Sequence, residues 1–317
     1  MLKLLQMRAV QINKYGRYDV LQINENVPIP KAGEGKVLVK VKAVSINPFD
    51  YKVRSGMYKE MMPVQFPSTV GGDFAGVVKE VGKNVGNFKV GDEVYGTAGV
   101  FSGGSGAFAE YAVARVSNVS LKPKNTSFEE AAALPLVGSS TVQALEDYIR
   151  LKKGDKILIQ GGAGGIGHIA IQLAKTLGAY IATTVSADDI EFVKQLGADQ
   201  IIDYKLEKFE EKVKDFNAVF DTVGGGVTNR SIQVVKKSGI LVSMINQPDV
   251  KRSEALGIKA MRQGSKNNSR HLKRVAELVE AGKVKVNIAK IFSLDQAKEA
   301  FRYQEESSPR GKVVLRV

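Results

Sequence analysis

Gly162, Gly164 and Gly167 stand in the stretch "LIQGGAGGIGHIAIQLAK", residues 158–175, spaced as G-x-G-x-x-G between an apolar run and an amphipathic one. Each glycine of such a motif meets a separate physical need: a tight strand-to-helix turn, a backbone that a diphosphate can approach, and a helix start packed against the strand. The first turn of the following helix offers N–H groups with no intrahelical partner and a partial positive charge. No Gly-Lys-Ser/Thr ending follows, which argues against a nucleoside triphosphate. Alone, the motif is weak. Here "KILIQ" precedes it as a buried-strand pattern, "IAIQLAKTLGA" follows as a helix, and "YIATTV" comes next as a second strand. That context points to a dinucleotide held by Gly162, Ala163, Gly164, Gly165, Ile166 and Gly167, the alternative being a glycine turn that serves packing alone. His168 reads as a first-turn helix residue.

The second strand decides which dinucleotide. An NAD site places Asp or Glu about 20 residues beyond the motif start, to take both ribose hydroxyls. Here the strand ends in "TTVSADD", residues 183–189. Ser186 holds the strand end, while Asp188 and Asp189 come later, where they suit the first turn of the next helix. A hydroxyl tolerates a 2′-phosphate that a carboxylate repels, so NADP(H) is the expected cofactor. No Arg or Lys stands beside Ser186; Tyr204 in "IIDYK", with Lys205, is the further contact expected.

The elements that must hold these residues follow from periodicity. Residues 7–124 read as β: "RAVQI", "KVLVKVKAVSI", "FAGVVKEVG", "DEVYG" and "FAEYAVA" are separated by turn text. "VFSGGSGAF", residues 100–108, reads as a mobile loop. From residue 125 the rhythm changes. Ser127 and Glu130 stand in capping-box register, and "STVQALEDYIRL" is helical. Strand text then alternates with helices expected at 164–177, 188–196 and 226–236, which implies βαβ units and a parallel sheet. In the tail, Leu272, Val275, Leu278 and Val279 share one helix face ended by Gly282. Ser293 and Gln296 open another helix, and "GKVVLRV" is a closing strand.

The 317 residues hold no cysteine and two histidines, His168 and His271. That excludes disulfides, thiolate metal sites and cysteine nucleophiles, and leaves too few imidazoles for a zinc site of three. No apolar run reaches the ~18–20 residues of a membrane span. "MLKLLQM" is too short for a signal peptide, which favours the cytoplasm; Met7 is an alternative start to Met1. The formal net charge of +13 invites a polyanion reading, but "LKPK", "RLKKGDK", "KKSG" and "RHLKR" lie in different segments and none is interleaved with aromatics. A solvated basic surface is expected; a surface used on nucleic acid or anionic membrane is the alternative.

Many segments in order, among them "SINPFDYKVRSGMY", "GGDFAGVVKEVGKNVGNFKVGDEVYG", "AAALPLVGSSTVQAL", "GGAGGIGHIAIQLAKTLGA", "FDTVGG" and "GKVVLRV", resemble the zinc-independent quinone oxidoreductase and enone reductase branch of the medium-chain dehydrogenase/reductase superfamily. The resemblance runs from Met7 to Val317. It implies an α/β chain: a GroES-like β-barrel catalytic domain over 1–124, completed by 266–317, and a Rossmann NADP-binding domain with a parallel sheet over 125–265. It also implies a cofactor in the cleft between them, and a homodimer formed through the sheet edge near 240–260. In zinc alcohol dehydrogenases of the superfamily a His-Glu pair stands where this chain has Gly72 and Asp73, and a cysteine ligand falls at or beside Asn47. A site without metal is implied.

The resemblance also assigns candidate roles. Asn47 aligns with an asparagine near the nicotinamide; the plainer reading is a turn residue before Pro48. Lys52 stands where some quinone reductases have Tyr and resembles the enone-reductase group, as a donor to an enolate oxygen; the plainer reading is a solvated lysine. Tyr58 matches a tyrosine at the mouth of the site, or packs. Asp50 orients Lys52 or, as preferred, caps a helix. Thr141 matches a threonine on the nicotinamide side. Thr222, Val223 and Gly224 are expected beside the adenosine or its ribose, Met244 and Ile245 beside the nicotinamide, and Gly311 and Lys312 at the cofactor edge or in a plain turn. The reading is a metal-free, NADPH-dependent reductase of quinones or α,β-unsaturated carbonyls. The alternative is a non-catalytic NADP-binding protein that uses its basic surface on RNA or membrane.

Overall fold

The structure, a computed structural model, describes residues 5–317. Met1 lies outside the described residues, whereas Met7 is buried in the first strand. The chain divides into two compact units. Unit one opens with β1 (Gln6–Ile12), β2 (Gln22–Pro28), β3 (Lys36–Ser45), α1 (Pro48–Arg54), β4 (Ser68–Thr69), β5 (Asp73–Val81), β6 (Glu93–Thr97), β7 (Tyr111–Arg115), β8 (Val119–Leu121) and α2 (Phe128–Ala132). The chain crosses into unit two within α3 (Pro135–Val142). There follow β9 (Lys156–Gln160), α4 (Gly167–Thr176), β10 (Tyr180–Val185), α5 (Ile190–Gln195), β11 (Gln200–Asp203), α6 (Phe209–Lys212), β12 (Phe216–Asp221), α7 (Gly226–Ser231), β13 (Val235–Ser243), α8 (Val250–Ala255) and β14 (Lys259–Arg262). It then returns to unit one as α9 (Ser269–Glu280), β15 (Ile288–Ser293), α10 (Ala297–Glu306) and β16 (Lys312–Arg316).

Unit one is built on a sheet ordered β15-β16-β3-β5-β6-β8, with β7 also on β3, and on a smaller sheet ordered β2-β1-β4. Alternation sets its core. In β3 Val37, Val39 and Val41 turn inward while Lys40 and Lys42 stay exposed. Phe74, Phe108 and Phe301 meet the inward valines in one apolar cluster. The returning strand β16 runs antiparallel to β3, with Val314 opposite Ser45. On its other side β3 places Ser45 opposite Asp73 of β5. The last strand of the chain therefore starts beside the end of β3, where α1 begins.

Unit two is a parallel sheet ordered β11-β10-β9-β12-β13-β14. "KILIQ" and "NAVFD" are near-continuous apolar runs because both faces of their strands are covered. From β9 the chain moves outward to β10 and β11, then crosses to the other side of β9 for β12. The connection reverses between β9 and β12, the switch point at which parallel sheets open a crevice.

Two boundaries differ from expectation. The chain leaves unit one at residue 136 rather than 124. The intervening α2, opened by the reciprocal Ser127 and Glu130 bonds (3.1 and 2.9 Å), packs on β3 and β5. Residues 281–287 group with unit two instead of completing unit one. Their backbone is bound by α4: Lys285 N–H donates to Gln172 Oε1 and Asn287 N–H to His168 Nε2 (2.9 and 3.1 Å).

Phe301 ties α10 to the barrel core, packing against Phe108 at 5.7 Å between ring centroids and beneath the Arg54 guanidinium at 5.4 Å. Phe301→Ala is expected to cost about 3–5 kcal/mol. Urea denaturation checks it, and a loss under about 1 kcal/mol would show that α10 does not depend on this anchor.

Candidate active site

The glycine loop of unit two lies between the end of β9 and α4, with Gly161, Gly164, Gly165 and Ile166 half-exposed. Its glycines divide the work. Gly161 turns the chain at φ +76°, where a side chain is strained. A Cβ on Gly162 would sit 2.2 Å from Thr183 Oγ1, and one on Gly167 2.1 Å from the Gly161 carbonyl oxygen. Gly164 is different: a Cβ there meets only the Gly161 oxygen, at 3.4 Å. Gly161 and Gly162 are also bound to β10, through Thr184 Oγ1 and the Thr184 carbonyl (both 3.1 Å). His168 closes the loop from inside. Nε2 accepts the Asn287 N–H, so the ring is neutral and its Nδ1–H donates to the Gly164 carbonyl at 2.9 Å. This histidine is fully buried and structural.

These features fit a diphosphate: an accessible glycine backbone at the start of a ten-residue helix, at the carboxyl end of a parallel strand. The neighbouring strand ends bring the other expected residues to the same edge of the sheet. After β12, Asp221 accepts from Val223 and Gly224 N–H (3.0 and 2.9 Å) and from the Thr228 and Ser243 hydroxyls (2.6 and 2.8 Å). This buried carboxylate shapes the loop that presents Thr222, Val223 and Gly224, and it ties that loop to the end of β13. Met244 and Ile245 follow β13, half-buried and exposed. Asn246 accepts from Gly225 N–H and fixes the same loop, a role without a sequence signal.

Beyond β10, Ser186 is half-buried and its hydroxyl donates to Asp189 at 3.0 Å. Its donor is thus spent on the turn into α5, and it offers a ligand its lone pairs. Tyr204, 59 % exposed, follows the Val185–Asp203 register pair and so stands beside Ser186 at the sheet edge. Thr141 departs from expectation. It has no exposed surface, and its hydroxyl donates to the Val137 carbonyl at 2.8 Å within α3, so it supports the helix and offers nothing to a cofactor.

In unit one the candidates split into two sets. Asn47, 2 % exposed, is the hub of a buried cluster. Its N–H donates to Asp50 Oδ2 at 2.7 Å, which opens α1 as a cap, and its Nδ2 donates to Asp73 Oδ2 at 2.8 Å. Leu136 N–H donates to the same Asp73 oxygen at 3.0 Å. Lys312 Nζ donates to the Ile46 carbonyl at 2.7 Å and to Asn47 Oδ1. Asn47 is the residue before Pro48 that opens α1, and its amide bonds Asp73 on one side and Lys312 on the other. One expectation is corrected here. Lys312 is not at a cofactor edge: it is 2 % exposed inside this cluster. Gly311 before it, at φ +80°, is the turn into β16. Ser45, opposite Asp73, keeps a buried hydroxyl with no partner among the described residues.

The second set is accessible. Lys52 is half-buried on α1, and Tyr58 stacks on Phe49, ring centroids 5.9 Å apart. The segment 100–108 carries hydrogen bonds at several points. A short helical turn at Val100–Ser102 is held by Asn118 Nδ2, and Ser105 Oγ accepts from Val113 N–H, while Ala107 and Phe108 enter the core.

Residues 33–124 match the alcohol dehydrogenase GroES-like domain family and residues 196–315 the zinc-binding dehydrogenase family. The chain is 38% identical to a 2-methylene-furan-3-one reductase of Solanum lycopersicum, over 98% of its own length and 79% of the relative's. It is 35% identical to a chloroplastic NADPH-dependent alkenal/one oxidoreductase of Arabidopsis thaliana, with the same coverage. Its fold overlays a quinone oxidoreductase structure from Coxiella burnetii with a TM-score of 0.89 and 35% identity, covering 99% of this chain and 100% of that one. This chain belongs to the quinone oxidoreductase and enone reductase branch of the medium-chain dehydrogenase/reductase superfamily.

The barrel cluster buries three ionisable groups together. Burial pushes the Asp50 carboxyl up to about 7; the Asn47 N–H opposes this, the Asp73 charge adds to it, and the Lys312 charge opposes it. Asp73 is also raised by burial, against the pull of Lys312, Asn47 and the Leu136 N–H. Burial lowers Lys312, while Asp73 and Asp50 pull it back up. The Lys312 ammonium thus has two oxygen acceptors and two buried carboxyl groups around it. Neither Asp73 nor Lys312 stood out in the sequence as part of such a cluster. The signal available was a lysine heading the apolar strand "KVVL" and an aspartate heading "FAGVV".

Two predictions follow from these geometries. Gly167→Ala pushes a Cβ into backbone and is expected to cost about 2 kcal/mol or more, whereas Gly164→Ala stays within about 0.5 kcal/mol and instead weakens NADPH binding. Urea denaturation and a fluorescence titration with NADPH read the two effects, and equal destabilisation would refute the division of roles. Asp50 binds its proton more tightly in the folded chain than in the unfolded one, so its contribution to stability is lost as pH rises from 3.8 to about 7. Asp50→Asn is expected to flatten the fall of the melting temperature across that window, leaving the slope due to Asp73; unchanged slopes would contradict a raised Asp50.

Proposed function

We propose that this protein is an NADPH-dependent reductase that delivers hydride to an α,β-unsaturated carbonyl or a quinone without a metal ion. The glycine loop at the end of β9 carries this reading, in a chain that aligns along 98% of its length with relatives named as an enone reductase and as an NADPH-dependent alkenal/one oxidoreductase. NADPH, when bound, supplies the hydride from its nicotinamide ring. The loop and the first turn of α4 take the diphosphate, with Tyr204 and Ser186 at the adenosine ribose and the backbone at 222–224 and 244–245 along the remainder of the cofactor.

Reduction of an enone builds negative charge on the carbonyl oxygen, and a positioned donor stabilises it. Lys52 is the donor of choice: a charged, accessible group on the helix whose first turn is fixed by the buried cluster. The Phe49–Tyr58 pair offers a flat apolar face and a phenol to the acceptor. The metal-free reading is supported by Gly72, which stands at the position of a zinc-binding histidine in the zinc relatives, and by Asn47, at or beside their cysteine ligand, which here binds Asp73 and Lys312. The Lys52 side chain, in place of tyrosine, favours the enone over the quinone. The basic-surface alternative draws no support from these relatives. A homodimer through the open edge of β14 and residence in the cytoplasm belong to the same proposal; light scattering and a fluorescent fusion check them.

The expected result is oxidation of NADPH, well above that of NADH, with alkenals or enones in a panel that includes quinones, and no loss of rate after exhaustive chelation. Lys52→Ala is expected to lower kcat by about 10²-fold with little effect on NADPH affinity. No oxidation with either acceptor class sinks the function; undiminished turnover in the variant removes only Lys52.

A further inference from the structure

Among the described residues Lys312 is the only buried lysine. A buried ammonium is costly unless its protons and charge are met. Here two protons go to Ile46 O and Asn47 Oδ1, and Asp73 and Asp50 are the charges that attract it. All of these acceptors lie at or near the junction where β3 becomes α1. The cluster also fixes which way the Asn47 amide points. Oδ1 faces the ammonium and Nδ2 faces the Asp73 carboxylate, so a flipped amide would set donor against donor and acceptor against acceptor.

The helix that starts there is short. Seven residues do not hold a helix by themselves. At its far end Arg54, 1 % exposed, donates from Nε to the Gly16 carbonyl at 3.2 Å and forms a bidentate pair with Glu305 at 2.8 and 3.1 Å. Both ends of α1 are thus clamped by buried cations from or against the C-terminal segment, and Lys52 lies between the clamps. We infer that Lys312 is a positioning residue for the reduction: with Asn47, Asp73 and Asp50 it locks the first turn of α1 and so sets Lys52 and Tyr58 toward the acceptor. This rests on the proposed reductase activity.

A contact with the cofactor and a positioning role make opposite demands on kinetics. A lysine at the cofactor edge would change NADPH affinity; one that positions α1 changes turnover and its pH profile with NADPH affinity preserved. The test uses the full-length protein and three variants: Lys312→Met; the paired Asp73→Asn/Lys312→Met, in which the cation and its opposing carboxylate are neutralised together; and the near-isosteric Asp50→Asn, which keeps the fold where the others do not. Circular dichroism confirms folding, fluorescence titration gives the NADPH Kd, and steady-state rates with an enone are taken from pH 5 to 9.

In the folded variants of Lys312, kcat is expected to fall about 10-fold or more with Kd for NADPH within about 2-fold. The parent is expected to show an inflection of kcat near neutral pH, and Asp50→Asn to lack it. Lys312 variants with kcat within about 2-fold of the parent, a raised NADPH Kd with kcat intact, or an unchanged inflection in Asp50→Asn each overturn the inference. A parent inactive toward every enone and quinone tried instead rejects the function itself, before the variants are compared.

Discussion

Lys312 donating to Asn47 is the contact on which unit one depends. It joins three places far apart in the chain: the end of β3, the start of β5 through Asp73, and the start of β16. A buried ammonium needs acceptors, and two buried carboxylates need a cation, so each strand end is held by the charge requirement of the others. Apolar packing alone would tolerate some sliding of β16 along β3. A wrong register would strand a charge in the core, so this cluster specifies alignment as well as adding to stability. Because α1 begins at Asn47, the same alignment sets where the accessible Lys52 and Tyr58 emerge.

Unit two relies on a different device, close approach of backbone. Gly162 and Gly167 leave no room for a Cβ, which lets α4 start directly against the sheet and leaves Gly164 open. The loops are then shaped by uncharged or fully satisfied groups: the neutral His168 between Gly164 and Asn287, and Asp221 with its four donors. A site for an anionic cofactor gains from this arrangement. The Asp221 carboxylate has its oxygens turned to local N–H and hydroxyl groups.

Much of the architecture was legible in sequence because it rests on local rules. Alternation in β3, continuous apolar runs in β9 and β12, the two reciprocal caps at Ser127 and Ser293, and Gly282 at the end of α9 each announce an element with no long-range information. The glycine loop was legible for the same reason: its strand, turn and helix are contiguous. The barrel cluster was not. Nothing near Lys312 in sequence indicates that its ammonium will lie against Asn47, and a lysine before a closing strand reads naturally as solvated. Thr141 failed in the opposite direction. Its motif matched, yet a hydroxyl satisfied by the carbonyl one turn back has no need of a ligand. The division at 136 rather than 124 was hidden because α2 has helical text like that of unit two but packs on barrel strands.

The composition and the cluster bear on each other. The chain has no cysteine, its two histidines are both buried, and the charges at this junction are those of a lysine and two aspartates. The Asn47 amide donates to the Asp73 carboxylate and accepts from a cation, so it links the two charges. Lys312 brings that cation covalently, from the far end of the chain, at the cost of burying it. One ammonium faces two buried carboxyl groups, and burial raises both of them. The raised carboxyls are thus the physical consequence of burying two aspartates around a single ammonium.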